Sequence, residues 1–131
     1  MTRQAIIFGS IGTIADTSEM QLAAFNAAFD EAGLGWFWAA SDYKPMLAKS
    51  GGKQRIQDFA DRRGETVDAS AIHQRKTAIF NDMMAHKGLA PRPGVLPLMK
   101  YAMDAGVKLG FATTTSQSNI CAMFNALDGA L

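Results

Sequence analysis

Two short stretches, Gly9-Ser10-Ile11-Gly12-Thr13 and Thr113-Thr114-Thr115-Ser116, have the composition of loops that hold anions. Glycine permits a tight turn with exposed backbone N–H groups, and the hydroxyls add further donors. The same residues also suit an ordinary strand-to-helix turn, and composition alone leaves both readings open. A third stretch, Gly51-Gly52-Lys53-Gln54-Arg55 with Lys49 just before it, sets cations at a glycine-flanked helix start. There the choice lies between phosphate contact by Lys53 and Arg55 and plain solvated charge. His73 and His86 have no cysteine or carboxylate at metal spacing and read as surface or helix-packing residues. No histidine is placed by pattern to activate a hydroxyl of the 113–116 run, so a serine nucleophile is not expected.

The elements that must position these residues follow from periodicity. Gln4 to Phe8 is a continuous β-branched and aromatic run, the signature of a strand buried on both faces, and Val107 to Ala112 reads as a second strand. In an open α/β sheet ligands gather at the carboxyl ends of the strands, which is where both hydroxylic loops fall. From Asp16 or Thr17 the pattern turns helical, with Met20, Ala23, Ala24, Ala27 and Ala28 as its apolar positions and Thr17-Ser18-Glu19 as its cap. Asp16 is read as a cap for that helix. Further helices are expected over 42–49, 53–63, 69–87, 92–105 and 118–127, separated by Gly51-Gly52, Gly64 and Pro91-Arg92-Pro93-Gly94. The Trp36-Phe37-Trp38 cluster is read as a core plug. The organisation is an α/β core, residues 1–16 and 88–131, with parallel strands near 4–8 and 107–112, interrupted by a helical cap over 17–87.

Composition narrows the function classes. Apolar residues make up 48% and charged residues 19%, the balance of a globular chain with a buried core. The net charge of +1 gives no field for nucleic acid, and no run approaches the length of a membrane span. The single Cys121 excludes an internal disulfide framework, and the expected location is cytoplasmic.

The stretch AIIFGSIGTIADTSEMQLAAFNAAF resembles the first motif of the haloacid dehalogenase (HAD) superfamily, a Rossmannoid fold with that motif written hhhhD-x-D-G-T-hhh-D-[ST], where h is apolar. Gly12-Thr13 and, after two apolar residues rather than three, Asp16-Thr17 match it, whereas Gly9 and Ile11 stand where the aspartates belong. VKLGFATTTSQSNI resembles the second motif, with Thr113 at the phosphoryl-binding position. The intervening segments resemble the CbbY group, phosphatases of sugar bisphosphates related to β-phosphoglucomutase. Gly51 to Arg55 resembles its substrate-specificity loop, and Gln21 stands where relatives usually place histidine.

The resemblance implies an aspartyl-phosphate mechanism assisted by Mg²⁺. Gly9 has no side chain to attack phosphorus and Ile11 cannot carry a proton, so no intact catalytic residue, no metal site and no cofactor are expected of this chain. The family's lysine and acidic motifs lie beyond the second motif, past Leu131, so a truncated core with two strands and open edges is expected. Exposed apolar surface is expected around both strands unless another chain or a second copy covers it. Gly12, Thr13, Thr113, Thr114, Lys53 and Arg55 are the candidate contacts for a phosphorylated sugar or other anion. The expected function is an inactive, phosphatase-like binder. The alternatives are an active phosphatase of unusual mechanism and an interaction module completed by another chain.

Overall fold

The computed structural model describes residues 4–9, 11–49, 51–113 and 117–127. Thr114, Thr115, Ser116 and Ser10 from the two hydroxylic loops lie outside them. The chain divides into two compact units, Met1–Thr17 with Met84–Leu131, and Ser18–Met83.

The first unit holds two parallel strands, β1 (Ala5–Phe8) and β2 (Lys108–Phe111), paired in the register Ala5↔Lys108 to Phe8↔Phe111. A bond from the Ala112 amide to the Phe8 carbonyl, 2.9 Å, extends the ladder by one residue. Because the strands are parallel and in register, the loops after Phe8 and Phe111 leave from the same end of the sheet. The expectation of a strand buried on both faces is not met: Phe8 is buried, whereas Ile7 is 66% exposed, and Leu109 on β2 is also exposed. The expected apolar surface is therefore present at both strands. Residues 11–14 form a single helical turn, α1 (Ile11–Ile14), where the composition had indicated only a turn. The helix α6 (Val95–Asp104) starts three residues later than expected because Gly94 is left-handed at φ 87°. The helix α7 (Gln117–Leu127) follows β2.

The second unit is helical: α2 (Ser18–Glu31), α3 (Ala40–Met46), α4 (Gly52–Arg63) and α5 (Ala69–Lys87), whose last residues continue into the first unit. On α2 the buried row is Ala24, Phe25, Ala28 and Phe29, rotated from the expected alanine stripe because the phenyl rings bury more apolar area. Helix α3 ends at Met46, short of the expected 49; Pro45 lies in its last turn, and the chain leaves through three-residue turns closed by Leu47, Ala48 and Lys49 amides.

The core of this unit is aromatic. Trp38 packs edge-on to Phe29 and Phe59 at 4.8 and 5.4 Å between ring centres and stacks on Tyr43. The Asn26 carboxamide pins the Trp38 backbone twice, donating to its carbonyl and accepting from its amide, each at 2.9 Å. Trp36 and Trp38 are plugs as expected, but Phe37 between them is 74% exposed. Alternation along an extended segment explains this, since successive side chains point to opposite sides.

Candidate functional site

In the first unit the structure brings several of the expected residues to one end of the sheet. Gly9 follows β1 directly, α1 carries Gly12 and Thr13, and Thr113 stands two residues past β2. Thr13 is exposed and Thr113 half-buried, and Thr113 has interactions of its own. Gly9 is not in the left-handed region, and a Cβ built there would meet only the Thr13 Oγ1, at 3.2 Å. Its backbone therefore does not require glycine.

The turn 11–16 is gripped by Arg92, just before α6. Arg92 donates from Nε to the Gly12 carbonyl at 2.6 Å and from its backbone N–H to the Ile14 carbonyl at 2.6 Å. Its Nη2 lies 4.0 Å from Asp16 Oδ1, so Asp16 stands beside a guanidinium in addition to preceding α2. The described residues contain no cluster of three His, Cys, Asp or Glu side chains able to hold a metal ion. Gly9 and Ile11 themselves offer no side-chain oxygen of the kind a hard dication takes.

In the helical unit the expected residues Lys53 and Arg55 fall in the first turn of α4. The N-cap Gly51, at φ 100°, has no side chain to satisfy the first N–H groups, which leaves a positive helix end. Lys53 is exposed. Arg55 is committed elsewhere: it donates from Nη2 to the Lys49 carbonyl at 2.8 Å and from Nε to the Met46 carbonyl at 3.4 Å. Its guanidinium lies over the rings of Phe25 and Tyr43, 5.9 and 5.6 Å from their centres. It thus fastens the end of α3 to α4 and contributes charge to the surroundings.

Two residues join this cluster from α5. The His73 imidazole packs against Gly52 so closely that a Cβ there would lie 2.7 Å from Nε2 and 3.2 Å from Phe25 Cζ. Gly52→Ala is therefore expected to cost about 1–3 kcal/mol through overpacking, read as a lowered Tm in thermal melts. Burial first, then the charges of Lys76, Arg55 and Lys53, hold the His73 pKa below its ordinary value. The neutral form of the imidazole is thus favoured, with three cations in its surroundings.

Lys76 is the most unusual residue of the unit. It is only 5% exposed, its ammonium donates to Gln21 Oε1 at 3.1 Å, and it lies 4.6 and 5.1 Å from the ring centres of Phe25 and Phe80. Among the described residues none of its bonds reaches a carboxylate. Burial, with the Arg55 charge second, lowers its pKa from 10.5 to about 8. Phe25 is thus the common floor beneath Gly52, Arg55 and Lys76. Sequence reading missed Lys76, although a signal was present: Ile72, Lys76, Phe80 and Met84 recur every four residues, and all four are buried. An open groove of about 690 Å³ between α3 and α4 takes in Lys49 and Arg55, but Asp42, Asp58 and Asp61 line it as well. The cluster over Phe25, by contrast, contains no acid among the described residues.

Comparison with known proteins accords with the geometry. The family of haloacid dehalogenase-like hydrolases matches residues 6–129. Among curated relatives, the plasmid-borne protein CbbY of Cupriavidus necator is 41% identical across 97% of this chain and 53% of its own length. CbbY from Rhodobacter sphaeroides, solved in complex with phosphate, superposes with a TM-score of 0.87 at 38% identity, covering 95% of this chain and 57% of that one. A mutant of that protein, with an aspartate changed to asparagine and xylulose-(1,5)bisphosphate bound, superposes with a TM-score of 0.86 at 38% identity over the same shares. The chain spans about half the length of the relatives it matches. With a parallel two-stranded sheet, a helical insertion and similarity to the CbbY group throughout, the chain belongs to the haloacid dehalogenase-like hydrolase family.

Proposed function

We propose that this chain binds a phosphorylated small molecule of the sugar-phosphate class and does not hydrolyse it by the aspartyl-phosphate route. The carrying observation is the buried Lys76 ammonium, beside Arg55 and His73, with no acid among its partners in the described residues. A buried cation without a counter-ion is costly, and a phosphate is the partner that would offset the cost. The N–H groups at the start of α4 add to the same field. In the first unit Gly12, Thr13 and Thr113 are the contacts for a phosphoryl group. Thr114 belongs to the same reading but lies outside the described residues.

The inactive half of the reading rests on Gly9 and Ile11, which offer neither a nucleophile nor a proton carrier. The bound xylulose-(1,5)bisphosphate of the CbbY mutant supports separating binding from turnover, since that relative holds the sugar with one aspartate changed. Titrating the protein with inorganic phosphate and with xylulose-1,5-bisphosphate, followed by calorimetry, tests the binding half. Saturable heat is expected, and its absence for both ligands overturns the reading.

A second reading is favoured by exposed apolar side chains in the first unit, Ile7 and Leu109 on the strands and Leu98, Tyr101 and Met103 on α6. Such a surface suits self-association or a second chain laid on the sheet. Sedimentation over a hundredfold range of concentration is expected to show a reversible rise in mass. A monomer throughout, with no binding of an apolar dye, removes this reading.

A further inference from the structure

We infer that Arg92 is a positioning residue for the turn 11–16, clamping it from outside in the shape that presents its N–H groups; the anion-binding part of the inference rests on the function proposed above. A single helical turn is unstable by itself, and its carbonyls have no partners within so short a helix. Arg92 supplies partners for two of them, Gly12 from Nε and Ile14 from the backbone N–H, each at 2.6 Å. An isolated antiparallel bridge between Ala15 and Pro91 fixes the register of the two segments. Pro91 and Pro93 flank the arginine, restrict the backbone on either side of it and have no N–H of their own. Arg92 is therefore the one backbone donor of the triplet, and it is aimed at the turn. Its positive charge also lies at the carbonyl end of α1, where a cation is favoured. The Asp16 carboxylate, 4.0 Å from Nη2, adds an ion pair to the clamp. A lysine could not reproduce this arrangement, because a guanidinium offers separate donors in one rigid plane.

The arginine side chain is 46% exposed, so a small cation from solvent can take its place. This makes the inference testable in the full chain by amide NMR. In Arg92→Ala, hydrogen exchange at the amides of residues 12–16 is expected to speed up at least tenfold while α2 to α5 keep their protection. Ethylguanidinium in the buffer is expected to restore much of that protection, whereas sodium at equal ionic strength is not. Arg92→Lys, which keeps the charge that alanine loses, is expected to fall between wild type and alanine and covers the case in which alanine fails to fold. Unchanged exchange in both variants, or a loss of protection shared equally by all helices and not rescued, overturns the inference. Inorganic phosphate separates the two claims. Phosphate-dependent shifts at Gly12 and Thr13 in the wild type, weakened at least fivefold in Arg92→Ala, support the anion-presenting role. Their absence from the wild type overturns that role and the anion reading of the turn, while rescued exchange still establishes the clamp.

Discussion

Lys76→Met is expected to stabilise the protein at pH 7 by about 2 kcal/mol and to weaken phosphate binding at least tenfold. The sign follows from linkage. The folded pKa of Lys76 lies at about 8, below the ordinary 10.5, so between those values the unfolded chain binds more protons and stability rises with pH. Below pH 8 both states are protonated, and the whole cost of the buried charge is present. A shift of this size corresponds to roughly 3 kcal/mol, reduced by the two ring contacts that methionine would only partly replace. The gain is expected to appear as a rise in Tm on the order of 5 °C or more at pH 7. It should shrink as the pH is raised through 8 toward 10.5, where wild-type Lys76 is neutral. Methionine matches the length of the lysine stem, so little packing is lost. Loss of stability at pH 7, or a difference from wild type that does not change with pH, would mean that the ammonium is well solvated or well paired. The stability effect tests the buried charge and the binding effect tests its purpose. A residue that destabilises a core row and improves ligand affinity is the usual trade at a binding site.

With Mg²⁺ and an aryl phosphate, or with a sugar bisphosphate, the purified protein is expected to release phosphate no faster than buffer. The deficit relative to an intact aspartyl nucleophile is on the order of 10⁴-fold or more, because removal of a covalent nucleophile leaves only binding and electrostatic contributions. Gly9 lacks the attacking group, and Ile11 lacks the proton donor for the leaving oxygen. Phosphate release that copurifies with the protein through two unrelated separations and disappears in Thr113→Ala would establish a different chemistry. The active alternative would then stand.

Much of the architecture was legible because local signals and tertiary packing agree. Helix α5 was expected over 69–87 and spans Ala69–Lys87, closed by Gly88 at φ 67°, which no helix accommodates. Both strands were placed within one residue at each end, since short β-branched and aromatic runs bounded by glycine leave little choice. The start of α6 was misplaced because a Pro-Arg-Pro-Gly turn looks helix-compatible until the glycine takes a left-handed conformation. The site was less legible. Lys53 and Arg55 were recognised by type, but type does not reveal that Arg55 reaches back to the carbonyls of Met46 and Lys49. Lys76 was hidden for the opposite reason: a lysine in an apolar row reads as a surface residue until Phe25 and Phe80 close over it. The partners of Arg92, Gly12 and Ile14, lie some 80 residues earlier in the chain, and no local pattern announces a bond over that distance.

The most direct test follows one sample in two ways. Xylulose-1,5-bisphosphate is titrated into the protein with Mg²⁺ in a calorimeter, and the same mixture is then observed by phosphorus NMR over several hours. Saturable binding is predicted, weakened in Lys76→Met, with both phosphate ester signals intact and no inorganic phosphate appearing. Growth of the inorganic phosphate signal, lost on Thr113→Ala, would contradict the account.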